Sequence, residues 1–115
     1  MQNDLRERTK KFALRVIRLS TKLPSTAPAR VIGQQVLRIG TSVGAQYREA
    51  FRAKTKADYV SKLTGCLQEL EETQYWFELL IEGEIVKQEL LEGLAGEANE
   101  LIAILTTIVL KVKKG

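Results

Sequence analysis

The apolar residues of this chain recur at spacings of three and four in four long stretches, and no stretch alternates every second residue. That pattern confines the chain to helices, because a half-buried strand needs period-two patterning. The first stretch runs from about Asp4 to Lys22 and carries Leu5, Thr9, Phe12, Val16, Leu19 and Leu23 on one face. Asp4 and Glu7 have capping-box spacing, and Leu23-Pro24 ends the segment, since proline disfavours helix in the residue before it. PSTAP is then a short loop. The second stretch, about Pro28 to Arg52, carries Ile32, Val36, Ile39, Val43, Tyr47 and Phe51. The third opens on a Thr55/Asp58 cap, turns Leu63, Leu67, Leu70, Phe77 and Ile81 inward, and stops at Gly83. The fourth, about Lys87 to Lys113, holds Leu91, Leu94, Ala98, Leu101, Leu105, Ile108 and Val112 at heptad spacing. Short loops between helices of similar length make antiparallel neighbours. The expected fold is all-α, an antiparallel up-down-up-down four-helix bundle, with residues 1–115 as a single domain.

Composition agrees with that reading. Aromatics are only 6%, which leaves the core to Leu, Ile, Val and Ala. A single cysteine, Cys66, allows no intrachain disulfide. The N-terminal MQNDLRERTKK is charged where a signal peptide needs an apolar stretch, and the apolar run Leu101 to Leu110 is half a bilayer span. The expectation is a cytoplasmic chain with no membrane partner.

Catalytic chemistry is hard to assemble from these residues. There is no histidine, so the commonest general base and the commonest metal ligand are both missing. Glu69 and Glu72 have the i, i+3 spacing of a di-iron bundle ligand pair, without the histidine that such a pair includes. No glycine-rich phosphate loop follows a strand. We expect no enzymatic activity, no catalytic residues, no metal, no cofactor and no small-molecule substrate.

Two stripes remain to be explained. Gly33, Leu37, Gly40 and Gly44 lie beside the core face of the second helix. A mid-helix glycine costs up to about 1 kcal/mol relative to alanine, so a row of them implies the close approach of another backbone. That backbone belongs either to the same bundle or to a second subunit, and Gly33, Gly40 and Gly44 are candidate interface residues on the latter reading. On the first helix, Arg8, Lys11, Arg15, Arg18 and Lys22 form a basic ridge about 20 Å long. Arg48, Arg52, Lys54 and Lys56 add a second basic cluster. Residues 1 to 62 hold 14 Lys/Arg against 4 Asp/Glu, whereas residues 63 to 115 hold 4 against 10. Basic ridges of this kind can track phosphates, with release of counterions. The alternative is pairing with acids, for which Glu71, Glu78 and Glu82 share a stripe with Tyr75 on the third helix. Trp76, beside the core row, is either partial core or an interface anchor.

The stretch IGQQVLRIGTSVGAQYREAFRAKTKADYVSKL, Ile32 to Leu63, resembles the signature of the four helix bundle proteins encoded in 23S rRNA intervening sequences. Their S-x-G-A-N-x-x-E-A core is matched by Ser42, Gly44, Ala45, Glu49 and Ala50, and a later E-x-x-E-T-x-Y-W-L pattern by Glu69, Glu72, Thr73, Tyr75 and Trp76. Gln46 stands for the usual Asn and Phe77 for the usual Leu. The family is similar to the accessory variability determinant (Avd) of diversity-generating retroelements. That resemblance implies a barrel-like homopentamer with a basic surface that binds nucleic acid and a reverse transcriptase. Two functions are therefore expected to compete. One is an oligomeric accessory protein that binds structured RNA or RNA/DNA through Arg8, Lys11, Arg15, Arg18 and Lys22, assisted by Arg48, Arg52, Lys54 and Lys56. The other is a protein–protein scaffold whose basic first helix pairs with the acidic third helix of a neighbour, with Glu71, Tyr75, Trp76 and Glu78 in the contact.

Overall fold

The computed structural model describes residues 2–115, with side chains from Asp4 onward. Four helices run α1 (Gln2–Ser20), α2 (Ala27–Ala50), α3 (Lys56–Glu82) and α4 (Gln88–Lys114). They form an antiparallel bundle of 47 × 20 × 20 Å, with no strand among the described residues. The bundle class matches the sequence reading, and the differences lie at the helix ends. α1 begins before Asp4, so Asp4 lies in the first turn instead of capping the helix. Lys22 falls beyond the end of α1, in a tight turn closed by its own N–H to the Leu19 carbonyl. Thr26, inside the expected PSTAP loop, is the N-cap of α2 and accepts the Ala29 N–H. Thr55 caps α3 as expected, accepting the Asp58 N–H at 3.0 Å.

The α3 terminus is more informative. Gly83 sits at the expected stop, but with φ −78° it uses none of its conformational freedom. The left-handed position falls one residue later, on Glu84 at φ 59°. The Glu84 N–H reaches the Ile81 carbonyl and the Ile85 N–H reaches that of Leu80, which is a Schellman closure.

Each seam between neighbouring helices has its own device. Between α1 and α2 it is the glycine row. A Cβ built on Gly40 would lie 2.8 Å from Val16 Cγ2, and one on Gly44 3.2 Å from Thr9 Oγ1. One on Gly33 would lie 2.6 Å from Leu23 Cδ1. The chain itself therefore supplies the close neighbour: Gly33, Gly40 and Gly44 are buried within the bundle under α1 and its following turn, not open to a second subunit. Between α2 and α3 the device is a polar ladder. Ser42 Oγ donates to Glu69 Oε2 at 2.5 Å, Gln46 lies over the bare face of Gly65, and Lys62 pairs with Glu49 at 3.1 Å. Between α3 and α4, Gln74 donates to the Ala95 carbonyl and to Asn99 Oδ1. Between α1 and α4, the Arg8 guanidinium clasps Glu97 through two hydrogen bonds of 2.9 and 2.7 Å and reaches Glu100 at 3.3 Å.

The core inside these seams is largely the one expected, with shifts on α3 and α4. Cys66, Thr73 and Leu80 are buried on α3, while Leu67 and Ile81 are half-buried. On α4 the buried row steps from Leu105 to Val109, leaving Ile108 and Val112 half-buried. The shift is geometric, since a straight helix of 3.6 residues per turn drifts away from a strict seven-residue repeat. Thr73 is accommodated by donating to the Glu69 carbonyl four residues earlier. Burial pushes the Cys66 thiol up to about 12, so it stays a protonated core residue at neutral pH.

Candidate nucleic-acid interface

The antiparallel turn between α1 and α2 joins the two most basic helices. The α1–α2 hairpin, residues 1–55, carries 12 Lys/Arg against 3 Asp/Glu, and residues 56–115 carry 6 against 11. One half of the bundle is thus basic and the other acidic. Within the basic half, the ridge read along α1 divides into parts with different surroundings.

Arg8 is taken up by the bundle. Its two strong bonds to Glu97, with Glu100 beside them, raise its pKa and neutralise its charge where it stands. The acid partners lie on α4, not on the Glu71/Glu78/Glu82 stripe of α3 that the sequence offers. The reason is topological: α1 and α4 are neighbours around the bundle, and α3 lies diagonally across from α1. Arg15, Arg18 and Lys22 line a shallow hollow between α1 and the start of α4, floored by Leu19 and Leu94. Lys11 is exposed lower on the same flank, near Asp4 and Glu7. None of these four makes an ion pair among the described residues.

Arg48 and Arg52 do not extend that flank. They sit on the opposite side of α1, where a hollow of about 380 Å³ in the α1/α2 groove is lined by Lys10, Arg48, Arg52, Thr41 and Ala45. Lys54 and Lys56 are exposed in and just after the connection to α3. Gly44 packs against Thr9, and beside that contact Lys10 of α1 and Arg48 of α2 line the same hollow. Lys10 was missed by the ridge pattern, which follows a different flank of α1. The signal was present in the glycines, which mark the side of α2 that faces α1. Arg48, Arg52, Lys54 and Lys56 are free of ion pairs among the described residues, and Lys10 has only the neighbouring Glu7, at 3.8 Å.

The acidic and aromatic interface candidates sit on α3. Glu71 and Glu78 are exposed and form no ion pair among the described residues, and Tyr75 is 53% exposed. Trp76 is half-buried against the core, donates from Nε1 to Glu72 Oε2, and holds the Tyr75 ring at 5.3 Å. Among the described residues no three His, Cys, Asp or Glu side chains converge on a point that could hold a metal ion.

The signature residues form a structural set. Ser42, Glu49 and Glu69 belong to the α2/α3 ladder, Gln46, in the place of the usual Asn, covers Gly65, and Gly44 is where α1 touches α2. They lock the fold and do not line the basic hollows, save Gly44, Ala45 and Glu49 at the edge of the α1/α2 groove. No protein of curated function matches the chain. A solved structure from Bacteroides thetaiotaomicron, a protein of unknown function from the S23 ribosomal protein family, shares 36% sequence identity with a TM-score of 0.87. The match covers 94% of this chain and 96% of that one. The family model of the 23S rRNA-intervening sequence protein matches residues 1–107. With nearly the whole chain matched in both sequence and fold, this protein belongs to the 23S rRNA-intervening sequence protein family.

Proposed function

We propose that this chain is a non-enzymatic RNA-binding accessory protein that holds phosphates along its α1–α2 hairpin. The observation that carries the reading is the state of the basic side chains. Of the nine singled out by sequence, Arg8 alone is neutralised by carboxylates, and the other eight make no ion pair among the described residues. A cation left unpaired on a folded surface keeps its charge available to a polyanion, and each phosphate contact gains free energy by releasing condensed counterions. Lys10, Arg48 and Arg52 form the first contact group, and Arg15, Arg18 and Lys22 the second. Contacts of this kind position a backbone without reading its sequence. The preferred ligand is structured RNA or an RNA/DNA hybrid, and the family resemblance adds a reverse transcriptase as the protein partner of such a complex.

A second reading is favoured by the acidic stripe of α3. Glu71, Glu78 and the exposed Tyr75 offer a docking face for the basic hairpin of a neighbour. Fluorescence anisotropy with a labelled RNA hairpin separates the two. On the nucleic-acid reading, Arg48→Glu/Arg52→Glu and Arg15→Glu/Arg18→Glu each weaken binding by at least about tenfold, the scale of several phosphate contacts. Arg8→Ala, which removes an already neutralised charge, changes it by less than about threefold. If the wild-type chain does not bind the hairpin and the glutamate variants instead change its sedimentation, the scaffold reading stands.

A further inference from the structure

Phe51 is an aromatic that the core leaves out. By spacing it continues the inward row of Val43 and Tyr47, yet its side chain is 42% exposed. Steps of four residues turn a helical row by about 40° each, so two steps carry Phe51 off the core line just as α2 ends. The ring is nevertheless held in place. Its centroid lies 5.1 Å from that of the buried Tyr47, with the two planes at 87°. The backbone around it closes in tight turns, Phe51 N–H to the Arg48 carbonyl at 3.2 Å and Arg52 N–H to that of Glu49 at 3.0 Å. A perpendicular pair leaves at least one face of the Phe51 ring clear of Tyr47.

Charge decides what that face suits. Among the described residues two aromatic rings are exposed, Phe51 and Tyr75. Tyr75 has Glu71 and Glu78 beside it on α3, whereas Phe51 has Arg48 one turn before it and Arg52, Lys54 and Lys56 just after it. Across the α1/α2 groove stands Lys10, and the exposed Arg6, one turn earlier on antiparallel α1, extends that flank towards the end of α2. Arg6, Arg48, Arg52, Lys54 and Lys56 make no ion pair among the described residues. We propose that Phe51 is a stacking platform for an unpaired base of the bound RNA, with these cations holding the phosphates on either side of that nucleotide. The proposal rests on phosphate binding by the α1–α2 hairpin and adds selection to it. Every base has a π-face, so stacking tolerates any sequence. A base inside a duplex has both faces covered, so the platform accepts one only from a loop, a bulge or a strand end. The cations supply affinity for any RNA backbone, and Phe51 directs it to places where a helix meets a single strand.

Fluorescence anisotropy on the full chain tests this with two RNAs of equal phosphate number, a blunt duplex and a duplex with a short single-stranded overhang. The wild type is expected to bind the overhang RNA at least about fivefold more tightly, the lower end of the effect of one stacked base. Phe51→Leu, which keeps apolar bulk but removes the π-face, abolishes that preference and leaves blunt-duplex affinity unchanged. Phe51→Trp retains the preference. A 2-aminopurine in the overhang is quenched on binding to the wild type and not on binding to Phe51→Leu. Equal affinity of the wild type for the two RNAs, or a preference that survives Phe51→Leu, overturns this inference alone. A wild type that binds neither RNA overturns the phosphate reading and this inference with it. A change in the sedimentation mass of the free chain on Phe51→Leu also overturns it, because the ring then belongs to a contact between copies.

Discussion

At the level of single residues, the glycines show why position matters more than count. Gly40→Ala would drive a methyl against Val16, which is itself fully buried, and overpacking of this kind costs about 1–3 kcal/mol. Gly65→Ala meets only the far end of the Gln46 side chain, which can swing away, so helix propensity decides and stability stays level or rises slightly. Urea denaturation of the two variants checks this, and equal midpoints would contradict it. Glu84 is the reverse case. Its left-handed conformation costs a non-glycine residue roughly 1 kcal/mol, so Glu84→Gly is expected to raise the unfolding free energy by about that amount. Cys66 and Tyr47 set the alkaline limit. Burial raises the thiol from 9.0 to about 12 and the phenol from 10.0 to about 12, so the folded state holds both protons more tightly than the unfolded chain. Their contribution is complete below pH 9 and is lost as pH rises towards 12. The urea midpoint is expected to be flat from neutrality to that point and to fall above it.

At the level of helices and seams, the α2/α3 ladder is the part most exposed to a single change. Glu69 Oε1 is buried without a hydrogen-bond partner, so among the described residues Ser42 provides the one side-chain bond to that carboxylate. Ser42→Ala leaves a partly buried charge with none and is expected to cost about 1–3 kcal/mol. In a double-mutant cycle with Glu69→Gln the penalty shrinks, because the neutral amide costs less to leave unpaired. If Ser42→Ala has the same effect in both backgrounds, the ladder contributes nothing. Much of this element-level structure was legible in sequence. Periodicity placed four helices, and Thr55 and Gly83 marked both ends of α3. The ends and seams were less legible. The reversed residue fell on Glu84 because the Schellman hydrogen bonds, not the glycine, set where the chain turns. Core row drift on α4 follows from helix geometry, which a strict heptad reading ignores. The acid partners of Arg8 depend on which helices are neighbours around the bundle, and no spacing along one helix reports that.

At the level of the whole molecule, the bundle separates charge. Its basic hairpin and acidic hairpin are joined by the Arg8 clasp on one side and the polar ladder on the other. Beside the contact of Gly44 with Thr9, Lys10 of α1 and Arg48 and Arg52 of α2 line one basic groove. A groove that binds RNA through phosphates must release counterions, and the number released can be counted. The decisive measurement is the slope of log K against log salt for the RNA hairpin, in the wild type, Arg48→Glu/Arg52→Glu and Arg8→Ala. The predicted result is a steep wild-type slope that Arg8→Ala leaves unchanged and that the glutamate pair reduces by about 1 for each phosphate it no longer holds. A wild-type slope near zero, or one that the glutamate pair does not alter, would contradict phosphate binding by the α1–α2 hairpin.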